Sequence, residues 1–273
     1  MLSCRRYMAC IAVVSLALAS AGAAQASPSC SVAGTWCGSY TDVSNGDVDT
    51  AAAQFIFSSD TLTVVVTNTS SFASGTYSNP DVLSGVFFNI SGNPTLTGSS
   101  ATASGSVSPP STTVSGPTNV DNGWGWQYSG AGYSSTSLTT TARYGIAAAG
   151  YSSLSPAFSK SNFGTGTPRN LGGMDYGIVG SNFTSIGGNA SPLADNSVTF
   201  IFTGVPTYMT IDYISNVTFS YGTAPDASSG ATSTTAQPVP EPTSLALFAV
   251  GLLGLMAVSW RHLPRPSVSG DDF

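Results

Sequence analysis

Short apolar segments separated by polar turns run through the central part of the chain, and none of them keeps the 3.6-residue period of a helix. Several are rich in β-branched and aromatic residues, which suit a pleated sheet. Their spacing predicts an all-β domain, a single β-sandwich of the jelly-roll type. The predicted strands are Ala53–Phe57, Thr61–Thr67, Val82–Ile90, Ser197–Thr203 and Tyr208–Tyr221.

Local interruptions of the pattern predict where the strands turn. Asp60, between two apolar runs, predicts a hairpin tip. Apolar alternation resumes on both sides of Ser215-Asn216, which predicts a turn or bulge there. The segment Gly123–Gly188 has many glycines and few aliphatic runs, so we expect short edge strands and long loops in it.

The central part of the chain carries few charges. Charged residues make up 7% of the 273 residues, and the net charge is −6. Between the two ends the only basic residues are Arg143, Lys160 and Arg169. Since phosphate contacts need clustered Lys and Arg, this distribution excludes a nucleic-acid-binding surface.

The beginning of the chain has the three parts of a signal peptide. Arg5 and Arg6 form a positive region, Ile11–Ala19 is apolar, and Ala24-Gln25-Ala26 has the small-x-small cleavage pattern. We therefore predict a signal peptide over residues 1–26 and an exported ectodomain over residues 27–223.

The C-terminal end combines a proline motif, an apolar segment and arginines. Pro240-Glu241-Pro242 precedes the apolar run Leu245–Val258, and Arg261 and Arg265 follow it. Residues 244–260 are near the lower length limit for a transmembrane helix. Arginines beyond such a helix stay in the cytoplasm, so residues 266–273 are predicted to be a cytoplasmic tail. The stretch 224–238 is rich in Ser, Thr, Ala and Pro, and is predicted to be a flexible linker.

Residues 239–265 resemble the PEP-CTERM sorting domain of Gram-negative bacteria. The resemblance implies that Pro240, Glu241 and Pro242 are recognised by exosortase, and that Arg261 and Arg265 form the cytoplasmic stop. It implies an exosortase substrate that is held transiently in the inner membrane and then reaches the cell surface or extracellular matrix. It also implies an association with exopolysaccharide and biofilm.

Two cysteines remain once the signal peptide is removed. Cys4 and Cys10 lie in that peptide, whereas Cys30 and Cys37 lie in the ectodomain. An even pair in an oxidising compartment predicts a disulfide between Cys30 and Cys37.

The residues needed for most catalytic sites are missing from the predicted ectodomain. The only histidine is His262 and the only glutamate is Glu241, both in the sorting region. A Ser-His-Asp system in its usual form and a histidine metal site are therefore excluded. We expect no enzymatic activity and no cofactor. An Asp-dependent glycosidase, which would need two paired carboxylates, is the remaining enzymatic alternative.

Clustered oxygen ligands make calcium the one metal to consider. Asp42, Asn45, Asp47 and Asp49 lie close together in sequence, as calcium ligands do. The spacing does not fit the twelve-residue calcium loop, whose glutamate position is occupied by Ala53. Because Asn-Gly favours a tight hairpin, we interpret the cluster as a solvated turn and keep calcium as the alternative.

Three aromatic residues share one face of a predicted strand. Trp124, Trp126 and Tyr128 occupy alternate positions, so in an extended strand they point to one side. If buried, this face forms part of the core; if exposed, it could stack on sugar rings. The leading hypothesis is a non-enzymatic surface or matrix protein, and the alternative is a carbohydrate-binding module that uses this face.

Overall fold

The fold was obtained as a computed structural model. The structure describes residues 32, 34–41, 48–72, 75–108, 112–121, 123–134, 139–148, 163, 176–186, 192–222, 233–235 and 237–238. The signal peptide 1–26, the helix 244–260 and the tail 266–273 lie outside these residues and stay predictions.

The described residues form β-strands and two short 3-10 turns, Asn79–Asp81 and Ile211–Tyr213. The first eight strands are β1 (Thr35–Thr41), β2 (Val48–Ser58), β3 (Thr61–Asn68), β4 (Thr76–Tyr77), β5 (Leu83–Ile90), β6 (Thr97–Ser108), β7 (Thr112–Asn119) and β8 (Gly125–Tyr128). The later strands are β9 (Tyr133–Ser134), β10 (Thr139–Thr140), β11 (Tyr144–Ala147), β12 (Ile178–Val179), β13 (Ser185–Ile186), β14 (Leu193–Thr203), β15 (Ile214–Tyr221), β16 (Ser233–Thr235) and β17 (Gln237–Pro238).

The strands form two antiparallel layers. One layer has the order β7-β6-β14-β3-β2-β1, and the other has the order β8-β11-β5-β15. Register places buried residues side by side across each layer, because side chains alternate between the two faces of a strand. The row across the first layer is Trp36, Ala53, Val66, Val198 and Ala103.

Aromatic side chains join the two layers into one core. The Phe55 and Phe88 rings meet edge-on with centroids 5.0 Å apart, although β2 and β5 are not hydrogen-bonded neighbours. The prediction of an all-β domain with a single sandwich core is confirmed. Of the predicted strand Tyr208–Tyr221, however, only Ile214–Tyr221 is a strand, since a 3-10 turn precedes it.

The layers are also connected at two edges, by hydrogen bonding through β12 at one edge and by the chain from β16 to β17 at the other. β12 pairs in parallel with β14 and antiparallel with β5. At the opposite edge β16 pairs with β15, and β17 pairs with β1. Residues 233–235 and 237–238 of the predicted linker 224–238 therefore form strands. The open edges of β1 and β15 accept any extended backbone, so a strand can form there without an apolar pattern.

A small hairpin covers the outer face of the second layer. Tyr133 in β9 packs on Phe87 with ring centroids 5.3 Å apart, and both belong to a buried cluster with Ala142 and Ala147. The Tyr133 hydroxyl donates a hydrogen bond of 2.7 Å to the Gln127 carbonyl. Burial on both faces explains why β5 has an almost continuous apolar sequence.

Both local interruptions fall where the sequence predicts them. Only Ser59, with φ 54°, and Asp60 separate β2 from β3, so the hairpin tip is confirmed. Asn216 has φ 51°, and the ladder between β15 and β5 shifts register between Ser215 and Thr218. This shift is a β-bulge, which confirms the second prediction.

The long strand β6 is missing from the sequence-based prediction because small residues occupy its inward positions. Ala101 and Ala103 are fully buried in the core. A side chain added at Gly98 would collide with the Trp126 indole and would come within 3.2 Å of the Phe163 ring. The bulky rings of the opposite layer therefore fill the space that β6 leaves open.

This packing predicts that Gly98→Ala destabilises the protein. Overpacking a filled core costs about 1–3 kcal/mol, so the free energy of unfolding should fall by that amount in chemical denaturation. Gly130→Ala is the matched control, because no atom lies within 4 Å of the added carbon. Equal stability of the two variants would contradict the packing described here.

Candidate functional site

The predicted aromatic face divides between core and solvent. Trp124 is fully buried, its indole Nε1 donates a hydrogen bond of 3.1 Å to the Tyr176 carbonyl, and its ring meets Phe200 at 4.9 Å. Trp126 is half-buried against Phe202, with ring centroids 5.5 Å apart. The proposal that Trp124 stacks on sugar is wrong, because the indole fills the space between the layers.

Exposed aromatic surface lies instead at one end of the sandwich. Tyr128 is 42% exposed and Tyr208 is 68% exposed. Sequence reasoning missed Tyr208 because it continued an apolar pattern through the loop before β15. The flanking Gly204 and Pro206 are the signals that could have placed it in a turn.

One turn, Ser91–Pro94, is contacted by a ring partner of each of these two tyrosines. Tyr128 packs on Tyr144, whose hydroxyl donates a hydrogen bond of 2.6 Å to the Pro94 carbonyl. The Ser91 amide of the same turn donates a 2.9 Å hydrogen bond to the Tyr213 carbonyl, and the Tyr213 ring lies 6.1 Å from that of Tyr208. The two exposed rings are thus connected to the same turn, one through Tyr144 and the other through Tyr213.

The acidic residue Asp49 belongs to a buried polar cluster. Its carboxylate accepts a hydrogen bond of 3.3 Å from the Ser70 hydroxyl. Asn68 donates from Nδ2 to the carbonyls of Asp81 and Ile178, at 3.0 and 2.9 Å, and accepts from the Ser70 amide. The cluster connects β2, β3 and β12, so these polar residues hold the junction between the layers.

A tyrosine completes the polar cluster. The Tyr77 hydroxyl donates a 2.8 Å hydrogen bond to the Ser70 carbonyl. Burial raises the pKa of this phenol well above its usual value, and the charges of Asp49, Asp81 and Asp195 raise it further. The phenol is therefore a neutral donor. Asp49 and Asp81 are each 1% exposed, so neither carboxylate can reach a substrate.

The structure describes one of the four predicted calcium ligands, Asp49. Asp49 faces the polar cluster, while its three companions lie outside the described residues. Within the part of the chain that the structure describes, no three His, Cys, Asp or Glu side chains are placed to hold a metal ion.

Cys37 in β1 is disulfide-bonded. The structure does not describe Cys30, so the pairing of Cys30 with Cys37 stays a prediction. The other predicted site residues outside the described ranges are Asp42, Asn45, Asp47, Pro240, Glu241, Pro242, Arg261 and Arg265.

The last described strand brings the chain to the predicted sorting motif. In β17, Gln237 pairs with Cys37 and Pro238 pairs with Trp36, which is 5% exposed. Only Val239 separates Pro238 from Pro240 in the sequence. At about 3.3–3.6 Å per residue, the motif begins within about 7 Å of a residue of the sheet.

Comparison with protein families finds one match, to the PEP-CTERM protein-sorting motif at residues 238–262. The chain carries a PEP-CTERM sorting domain. The match includes Pro240, Glu241, Pro242 and Arg261, and ends before Arg265. A PEP-CTERM domain marks an exported protein with a membrane-anchored precursor that exosortase processes. No curated protein and no solved structure matches the chain.

The PEP-CTERM domain explains why the apolar segment follows the motif directly. Its predicted helix, residues 244–260, lies outside the described ranges, and no helix within them has the length and apolar character to cross a membrane.

One carboxylate in the ectodomain of this PEP-CTERM protein, that of Asp195, has an oxygen that accepts no hydrogen bond from the described residues. Asp195 precedes a bulge at Asn196, which has φ 69°. Its Oδ1 is buried without a hydrogen-bond partner among the described residues. Burial raises the pKa of Asp195 above its ordinary value, so the fold disfavours the charged form.

The raised pKa predicts that Asp195→Asn stabilises the protein at neutral pH. A carboxyl whose pKa is higher in the fold contributes stability below its unfolded pKa and loses that contribution as pH rises through the folded pKa. The variant should therefore melt higher than wild type at pH 7 and approach it near pH 3. Exposed Asp212→Asn is the control. A variant that melts lower at pH 7 would contradict the assignment.

Proposed function

We propose that the mature ectodomain is a non-enzymatic component of the cell surface or extracellular matrix that associates with exopolysaccharide in biofilms. The observation that carries this proposal is the PEP-CTERM domain, joined to the all-β ectodomain without a long spacer. Such a domain commits the chain to export. A compact, weakly charged ectodomain with hydroxyl-rich strands suits hydrogen bonding to hydrated polysaccharide.

The environment of the acidic residues supports a non-enzymatic role. Asp49 and Asp81 are buried by structural contacts, and Asp121 is held by the Ala101 amide and the Asn119 side chain. An Asp-dependent glycosidase needs two accessible carboxylates flanking the scissile bond. We propose no resident cofactor. Calcium at Asp42, Asn45, Asp47 and Asp49 remains the alternative.

The sorting function is tested by changing the motif in the native host. Pro240→Ala/Glu241→Ala/Pro242→Ala should keep the tail, whereas wild type should lose every residue beyond the processing point. The measurement is the mass and C-terminal sequence of the protein from the membrane and extracellular fractions.

The matched control is Pro264→Ala/Pro266→Ala, which replaces prolines beyond the family match. It should be processed like wild type. Normal processing of the motif variant would refute exosortase recognition and remove the support for the matrix role.

A second candidate function is carbohydrate binding at the end of the sandwich. The specific observation is the exposure of Tyr128 and Tyr208, whose ring partners Tyr144 and Tyr213 both hydrogen-bond to the Ser91–Pro94 turn. Tyrosine offers an apolar ring face and a hydroxyl, which together fit the faces and edges of a sugar. The proposed glycan contact therefore uses Tyr128 and Tyr208.

Carbohydrate binding predicts that Tyr128→Ala/Tyr208→Ala reduces retention on the host's own exopolysaccharide several-fold. The assay is co-sedimentation of purified protein with that polysaccharide. Val48→Ala removes an exposed side chain without a ring and should bind like wild type; Val48 is 52% exposed. Unchanged retention in the tyrosine variant would contradict the proposed glycan contact.

A further inference from the structure

The sheet and the sorting domain meet at one residue. Pro238 is the last residue of β17, where it pairs with Trp36, and it is also the first residue of the match to the sorting motif. The backbone immediately before the Pro-Glu-Pro sequence is therefore part of the folded ectodomain.

A backbone that is paired in a sheet is unavailable to a processing enzyme. Enzymes that act on a peptide bond hold the substrate chain extended and hydrogen-bond to its main chain, as in strand addition to a sheet edge. Each main-chain N–H and C=O is satisfied by one such arrangement at a time. While β17 pairs with β1, the residues leading into the motif cannot enter a second site.

The structure indicates which of the two paired strands can move. β1 is held by Trp36, which packs edge-on against Phe55 at 5.3 Å, by the disulfide at Cys37, and by seven register pairs with β2. β17 has only two register pairs, and one of them involves Pro238, which has no N–H to donate. Local opening favours the segment with fewer contacts, so β17 separates while β1 stays in place.

We propose that β16 and β17 form a latch that keeps the chain just before the sorting motif paired in the folded ectodomain, and that β17 must leave β1 before exosortase can process the chain. The proposal rests on the sorting function described above. The latch makes the rate of processing depend on the stability of a two-residue pairing in the ectodomain as well as on the motif itself.

The test lengthens the connection without changing either partner. A six-residue Gly-Ser insertion between Pro238 and Val239 in the full-length chain keeps β17 paired and keeps the motif from residue 239 onward intact. The motif can then reach the enzyme while the latch is closed. In pulse-chase labelling in the native host, the half-time of tail removal should shorten several-fold.

Two further variants separate the latch from general effects of an insertion. The same insertion between Pro266 and Ser267, beyond the family match, should leave the half-time unchanged. Gln237 carries the one main-chain N–H of β17, so Gln237→Pro should weaken the pairing with β1 and also shorten the half-time, with no additional gain when combined with the insertion after Pro238. Amide exchange in β1 of the full-length protein should increase in Gln237→Pro and stay low in the insertion variant.

The outcomes distinguish the latch from the sorting function. If the Pro240→Ala/Glu241→Ala/Pro242→Ala variant retains its tail but the insertion after Pro238 leaves the half-time unchanged or longer, the latch is refuted and sorting stands. If that motif variant is processed normally, the sorting function fails and the latch fails with it. Faster processing in both latch variants, with the control insertion unchanged, supports the proposal.

Discussion

The contact of aromatic rings between the two layers is the interaction on which the rest of this fold depends. Phe55 meets Phe88 in one part of the core, and Trp126 meets Phe202 in another. The rings fit because β6 presents Gly98 and alanines toward them. Close packing of this kind leaves no room for an added carbon. The small residues of one layer therefore have to match the large residues of the other in size.

The same packing limits what the ectodomain can bind. Rings that fill a core cannot stack on a ligand, so Trp124 belongs to the architecture and only the end of β8 reaches solvent. Two acidic residues are likewise used by the architecture and are not free to bind a ligand. Asp49 and Asp81 hold a junction between strands through hydrogen bonds to Ser70 and Ser78, where they are shielded from any substrate.

Sequence patterns predict the strands that carry large apolar residues, and they fail where the backbone alone makes the strand. β3, β5 and β14 carry β-branched and aromatic residues, so their apolar character is visible in the sequence. β6 has Ala and Gly at its inward positions, and β16 and β17 add to open edges, so their hydrogen bonds leave no trace in hydropathy. For the candidate sites, periodicity places Trp124, Trp126 and Tyr128 on one side but does not say whether that side is covered. Tyr208 lies in a loop where no period applies.

The pairing of β16 and β17 also determines how far the ectodomain can extend from its C-terminal attachment. While β16 and β17 are paired, the domain is connected through residues of its own sheet and stays close to its attachment. When they separate, residues 223–238 become a tether that spans at most about 55 Å when fully extended. A pull on the C-terminus would first break two short pairings and lengthen the tether, and only then load the sandwich core. Unpairing at the edge of the sheet thus lengthens the connection under force and protects the folded domain from mechanical stress.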